Sequence, residues 1–189
     1  MATAADTRVT RSPGERIVDT LARRRYDAVR RHVRGRLLDV GCGDNRVVRA
    51  YGNGIGVDIH QWGNVDLVVD DAAHLPFEAG SFDTVTFIAA LNHIANRENV
   101  LEEARRVIRE DGRLIATMIT PRLSALWHAV IRPWDPDQCG RDLHEGEVWG
   151  ISSEEMRRMI ERHGFDVVRH ERFVLGLNNL FIAVPRRAR

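Results

Sequence analysis

The sequence contains no lysine; each of its 28 basic residues is arginine. That absence excludes chemistry built on a lysine amine, such as a Schiff base or the phosphate clamp of a P-loop. Cysteine is almost as scarce. Cys42 sits in a glycine-rich turn and Cys139 in a loop-like stretch, so a disulfide framework has no support. No run approaches the roughly 20 apolar residues that a membrane-spanning helix needs. The opening MATAADTRVTRSPGER has no apolar signal-peptide core. Internal repeats and low-complexity tracts are also missing, and together these absences predict a soluble, cytoplasmic protein.

What is present is an ordinary globular balance: 189 residues, 43% hydrophobic and 29% charged. That length predicts a single domain over residues 1–189 with material for a real core. The net charge of +1 is unevenly spread, because residues 1–36 hold ten arginines against four acids, +6, leaving −5 for the rest. A basic arm of this kind can meet nucleic acid or an anionic membrane. No aromatic beyond Tyr26 interleaves with the arginines, so a solvated helix face is the preferred reading and nucleic acid is disfavoured as a partner.

Val18, Ala22, Tyr26, Val29 and Val33 recur every three or four residues and predict an N-terminal helical arm over 1–35. Short apolar runs predict strands at 36–40, 55–59, 66–69, 84–90 and 113–119, with a brief helix over 47–51 and an amphipathic one over 99–110. Ser152 and Glu155 form a capping box that opens a helix carrying Met156, Met159 and Ile160 inward, and Gly164 supplies its stop. Residues 165–175 and 180–184 read as two strands of an antiparallel hairpin. The alternation of strands and helices predicts an α/β sandwich with a mostly parallel sheet. Residues 120–150 break the pattern. They hold Trp127, Trp134 and Trp149, three prolines and two histidines without sustained periodicity, and read as a lid or substrate segment.

Ligands of open α/β sheets bind outside the carboxyl ends of the strands. Four such ends carry suggestive residues: Asp39 to Gly43, Val57-Asp58, Asp70-Asp71, and Ala89 to His93. Gly41-Cys42-Gly43 lets a ligand approach the backbone, and Asp58, fifteen residues after Gly43, is placed to accept from both hydroxyls of a ribose. A dinucleotide is a poor fit, because the Gly-x-Gly-x-x-Gly pattern requires glycine where Arg46 stands.

Leu37 to Gly43, Gly56-Val57-Asp58, Asp71-Ala72 followed by Leu75-Pro76-Phe77, Ser81 to Val85 and Arg106 to Leu114 occur in that order. This succession resembles the motifs of class I S-adenosylmethionine-dependent methyltransferases, nearest to the small-molecule subgroup (type 11) that includes quinone-biosynthesis enzymes. The resemblance covers about residues 36–120 and implies a Rossmann-like seven-stranded, mostly parallel sheet with helices on both faces and a C-terminal antiparallel hairpin. It implies S-adenosyl-L-methionine as cofactor and S-adenosyl-L-homocysteine as product. By resemblance, Gly41, Cys42 and Gly43 pass beneath the methionine moiety and Asp39 orients its ammonium. Asp58 holds the ribose, Ile59 packs on adenine, Asp71 and Ala72 receive the adenine edge, and Ala89 and Ala90 line the sulfonium side. The third glycine of the family's Gly-x-Gly-x-Gly loop is Asn45 here, a residue that tolerates left-handed backbone.

Methyl transfer asks the protein chiefly to align the acceptor and exclude water. Where the acceptor must lose a proton, His93, just past the fourth strand, is the candidate base, its alternative being a residue that shapes the pocket. His60 belongs to the cofactor rim, and His128 and His144 are weaker candidates. A metal set of His128, Cys139, His144 and Glu145 lacks any recognised ligand spacing, so no metal is expected. The expected activity is in-line methyl transfer to a small-molecule acceptor. The alternatives are a catalytically idle cofactor-binding or scaffold protein and a nucleic-acid methyltransferase, the latter weakened by the lack of an Asn-Pro-Pro-Tyr or Asp-Pro-Pro-Tyr tetrad. Oligomeric state is not legible.

Overall fold

The computed structural model describes residues 13–119, 148, 150–174 and 176–187, with side chains from residue 19 onward. Helix α1 (Pro13–Arg30) leads into β1 (Leu37–Val40), α2 (Arg46–Tyr51), β2 (Gly54–Asp58) and β3 (Leu67–Val68). Then come β4 (Phe82–Ile88), a 3₁₀ turn (Leu91–His93), α3 (Arg97–Val107) and β5 (Ile108–Ile119). Helix α4 (Ser153–Arg162), β6 (Phe165–Phe173) and β7 (Asn178–Pro185) complete the described chain.

The strands form one seven-stranded sheet in the order β3-β2-β1-β4-β5-β7-β6. Neighbours from β3 to β5 are parallel, whereas β7 runs antiparallel to both β5 and β6. The chain therefore has the expected Rossmann-like sheet and its C-terminal hairpin. Connections leave β1 and β4 toward opposite edges, which makes that pair the switch point.

Strand periodicity divides the core into two layers. Leu38, Val40, Val85, Phe87, Leu114, Ala116, Phe181 and Ala183 face Val100, Leu101, Ala104, Met156 and Ile160 of α3 and α4. Ile115, Leu180 and Ile182 face Ala28 and Val29 of α1, and Leu37 faces Val47 and Val48 of α2. Ser152 caps α4, accepting from the Glu155 N–H at 3.2 Å, and Gly164 closes it with φ of 80°.

Several boundaries differ from the periodicity. Helix α3 ends at Val107, short of residue 110, because Ile108 already pairs with Phe82; the ladder then shifts to Thr84 opposite Arg113. That offset draws Ile108 to Gly112 into an irregular start of β5, where the apolar pattern suggests helix. Strand β4 starts at Phe82 and stops at Ile88, since Ala89 turns left-handed at φ of 54°. Strand β3 shrinks to two residues. The lid expectation for 120–150 falls almost wholly outside the described residues, as do Trp127, His128, Cys139, His144, Glu145 and Trp149.

Candidate active site

The loop after β1 reverses through three left-handed residues: Gly41, Gly43 and Asn45, with φ of 70°, 54° and 61°. The amides of Gly41 and Cys42 both donate to Val57 O, at 2.9 and 3.1 Å, tying the loop to the end of β2. A Cβ on Gly41 would stand 2.7 Å from the Ala90 methyl, so the ends of β1 and β4 can close only around glycine. Gly43 has nothing within 4 Å of its missing Cβ. One glycine thus serves packing, and the other leaves space on the ligand side.

Asp58 ends β2 beside this loop. Its Oδ2 accepts from the Gly43 N–H at 2.9 Å and its Oδ1 from the His60 N–H at 3.0 Å. A carboxylate offers about four acceptor positions, so each oxygen keeps capacity for one further donor. Asp39 lies deeper, 2% exposed, and takes the Thr86 hydroxyl on Oδ1 at 2.6 Å. Burial pushes its carboxyl up to about 7; the Thr86 hydrogen bond opposes that rise and the Asp58 charge adds to it. The Cys42 thiol is pushed up as well, by burial and then by the charges of Asp39, Asp58 and Asp66, which removes it as a nucleophile at neutral pH.

On the far side of β2, Ile59 is exposed, and the His60 ring meets Trp62 edge-on at 6.1 Å. Asp71 is more heavily engaged than its sequence role suggests. Its Oδ1 accepts from the Ala73 N–H at 2.8 Å and from Asn96 Nδ2 at 3.0 Å, while Oδ2 lies 3.3 Å from His74 Nδ1. These contacts, the Ala73 amide foremost and then Asn96, hold the Asp71 carboxyl below its ordinary range. Ala72 is buried beside it.

Ala89 and Ala90 follow β4. The Ala89 N–H donates to both Thr117 O and Thr117 Oγ1 at 3.1 Å, and this pair of bonds holds a non-glycine residue in left-handed backbone. His93 ends the 3₁₀ turn, its N–H bonded to Ala90 O. Asn92 Nδ2 lies 2.9 Å from His93 Nε2. An amide nitrogen only donates, so with the Asn92 amide in this orientation Nε2 is the acceptor. Asn92 is itself buried, its Oδ1 without a hydrogen-bond partner.

The structure thus gathers Asp39, Gly41, Cys42, Gly43, Asp58, Ile59, Ala89, Ala90 and His93 along the carboxyl edge of β1, β2 and β4, with Asp71 and Ala72 past β3. Sequence reasoning missed Thr86, Thr117, Asn92 and Asp66. Thr86 had a usable signal, a polar residue in the middle of an apolar strand.

Residues 38–116 match the family model described as a methyltransferase domain. An uncharacterised protein of Methanocaldococcus jannaschii is 36% identical over 91 residues, 43% of this chain and 36% of that one. A demethylmenaquinone methyltransferase of Thermotoga maritima is 26% identical over 116 residues, 54% of this chain and 51% of its own. The chain spans 36%, 49% and 42% of three curated relatives it matches. The fold is shared with the crystal structure of a Thermotoga maritima S-adenosylmethionine-dependent methyltransferase described as a possible histamine N-methyltransferase. That match has a TM-score of 0.67 at 18% identity, over 91% of this chain and 98% of that one. The ordered motifs, the sheet topology and the methyltransferase domain matched over residues 38–116 agree in supporting a class I S-adenosylmethionine-dependent methyltransferase of the type 11 group.

Proposed function

We propose that this chain transfers a methyl group from S-adenosylmethionine to a small-molecule acceptor by in-line displacement. The observation that carries this reading is the pairing of an open glycine, Gly43, with two carboxylates, Asp39 and Asp58, at the switch point of the sheet. A cationic ligand with a vicinal diol suits that acceptor and charge set, and a pyrophosphate, which the Asp58 carboxylate would repel, does not. When bound, the cofactor supplies a methyl carbon activated by a sulfonium.

The chain's own residues then bind and orient. Asp58 offers one remaining acceptor position on each oxygen to the ribose hydroxyls. Asp39 faces the ammonium, and the left-handed loop Gly41 to Asn45 passes beneath the methionine portion. Ile59, Asp71 and Ala72 border adenine, Asp71 through the single acceptor position its present partners leave. Ala89 and Ala90 line the sulfonium side. His93 stands on the acceptor side; taking up a proton at Nε2 requires the Asn92 amide to turn, which would bring Oδ1 to that nitrogen as an acceptor. The relatives' printed substrates, a demethylated quinone and a possible amine, are both small molecules and support that acceptor class.

The test is calorimetry with S-adenosylmethionine and S-adenosylhomocysteine, followed by transfer of a labelled methyl group to a panel of quinols, amines and phenols. Binding of both nucleosides and transfer to one small acceptor is expected. Tight binding of NAD with no response to S-adenosylhomocysteine would overturn the assignment.

A further inference from the structure

Asn45 stands where the family loop has its third glycine, and its surroundings explain why a larger residue fits. Its side chain is fully buried although it occupies the N-cap position of α2, where an asparagine would ordinarily bond to the first turn. It makes no such bond. It reaches instead to the segment between β2 and β3. There Nδ2 donates to Asn64 O at 3.0 Å and to Asp66 Oδ2 at 2.7 Å. The same Asp66 oxygen accepts the Gly56 N–H at 2.8 Å, so one carboxylate holds the loop and β2 together.

Gly56 makes room for this arrangement. A Cβ there would lie 2.1 Å from Asn45 Oδ1 and 2.5 Å from its Cγ, inside the space the amide fills. Gly56 itself has no positive φ, so its lack of a side chain serves the asparagine and not the backbone. Asn45 Oδ1 has no hydrogen-bond partner and occupies the space beside Gly56.

We infer that Asn45, Asp66 and Gly56 form a positioning unit that presets the cofactor loop. The inference rests on the reading of this loop as the S-adenosylmethionine site. Of the three left-handed residues in this loop only Asn45 bears backbone strain, while Gly41 and Gly43 cost conformational entropy to order, a cost that would otherwise be met when ligand arrives. Anchoring that backbone moves the ordering cost into folding and leaves more of the contact energy for binding.

The test measures S-adenosylhomocysteine affinity by calorimetry, well below each variant's melting temperature. Asn45→Gly removes the anchor while easing the backbone, and about tenfold weaker binding is expected. A residue merely tolerated at a left-handed position would leave affinity unchanged or improved, overturning the inference. Asp66→Ala should match that loss and add little to Asn45→Gly, because the two act as one unit, whereas Asp66→Asn keeps an oxygen acceptor and should bind nearly as wild type. Gly56→Ala should weaken binding in the natural chain and be nearly neutral beside Asn45→Gly, since the clash partner is then gone. Equal effects of Gly56→Ala in both backgrounds would reject the coupling. If the natural chain does not bind S-adenosylhomocysteine, the functional reading fails and the inference fails with it; if it binds and the variants bind equally, only the inference fails.

Discussion

The Thr86 hydroxyl donates to Asp39 Oδ1 across 2.6 Å, joining residues that stand opposite one another in the β1–β4 ladder. The carboxyl is otherwise enclosed, and burial raises it to about 7 from the ordinary 3.8. Between about pH 4 and 7 the folded chain therefore keeps a proton that the unfolded chain releases, so this group's contribution to stability falls as pH rises through that window. Urea midpoints measured from pH 4 to 8 should show the natural chain losing stability relative to Asp39→Asn. Parallel curves would mean that Asp39 titrates normally.

Asp58→Ala is expected to weaken S-adenosylhomocysteine binding ten- to a hundredfold. Losing charge-assisted hydrogen bonds to two hydroxyls corresponds to about 1.5–3 kcal/mol, and the Gly43 amide loses its partner in the same change. Unchanged affinity by calorimetry would remove Asp58 from the site.

Glu103 is a buried brace beneath the Leu75-Pro76-Phe77 turn. It accepts the Leu75 N–H at 2.7 Å and pairs with Arg106, whose guanidinium also reaches Phe77 O and Leu75 O. Burial would raise its carboxyl, but Arg106 and the Leu75 amide together draw it below the ordinary range. Glu103→Ala should destabilise the fold by about 1–3 kcal/mol, the cost of leaving a buried donor without a partner. For a lowered carboxyl the stabilisation is full at neutral pH and fades on acidification through the folded-state value, so the difference between variant and natural chain should shrink in acid. A constant difference would place the effect in packing instead.

His93 separates proton removal from shaping of the acceptor pocket. If it takes a proton from the acceptor, His93→Ala should lower turnover by roughly 10²–10⁴ with S-adenosylmethionine affinity almost intact. A wall residue would raise the acceptor KM with kcat preserved. Asn92→Leu removes the amide that contacts Nε2 and should displace the pH profile of turnover if the ring titrates during the reaction. Kinetics identical to the natural chain in both variants would leave methyl transfer to alignment alone.

Short apolar runs placed the central parallel strands β1, β2 and β4, because a buried parallel strand must be apolar on both faces. The Ser152 cap was equally legible, since its acceptor and donor lie three residues apart. Contacts that depend on register were not. Ile108 becomes strand only because Phe82 stands beside it, and no helical period announces that neighbour. Within the site, Asp39, Asp58 and the glycine loop could be read from local spacing. Asn45 was legible only as a departure from the motif; what holds it lies 19 and 21 residues away and depends on how the β2–β3 segment folds back.

The place of β7 inside the sheet sets an order on assembly. During synthesis β5 and β6 emerge first, yet they are separated in the finished sheet by a strand that leaves the ribosome after both. Until Asn178 to Pro185 arrives, Leu114 to Ile119 presents an open edge, and β6 lacks its one partner strand among the described residues. The nascent chain therefore carries an unpaired, largely apolar edge next to its most nearly completed half, the kind of surface that recruits strands from other chains. Closure is a late event, and until it occurs that edge stays open to strands of other chains.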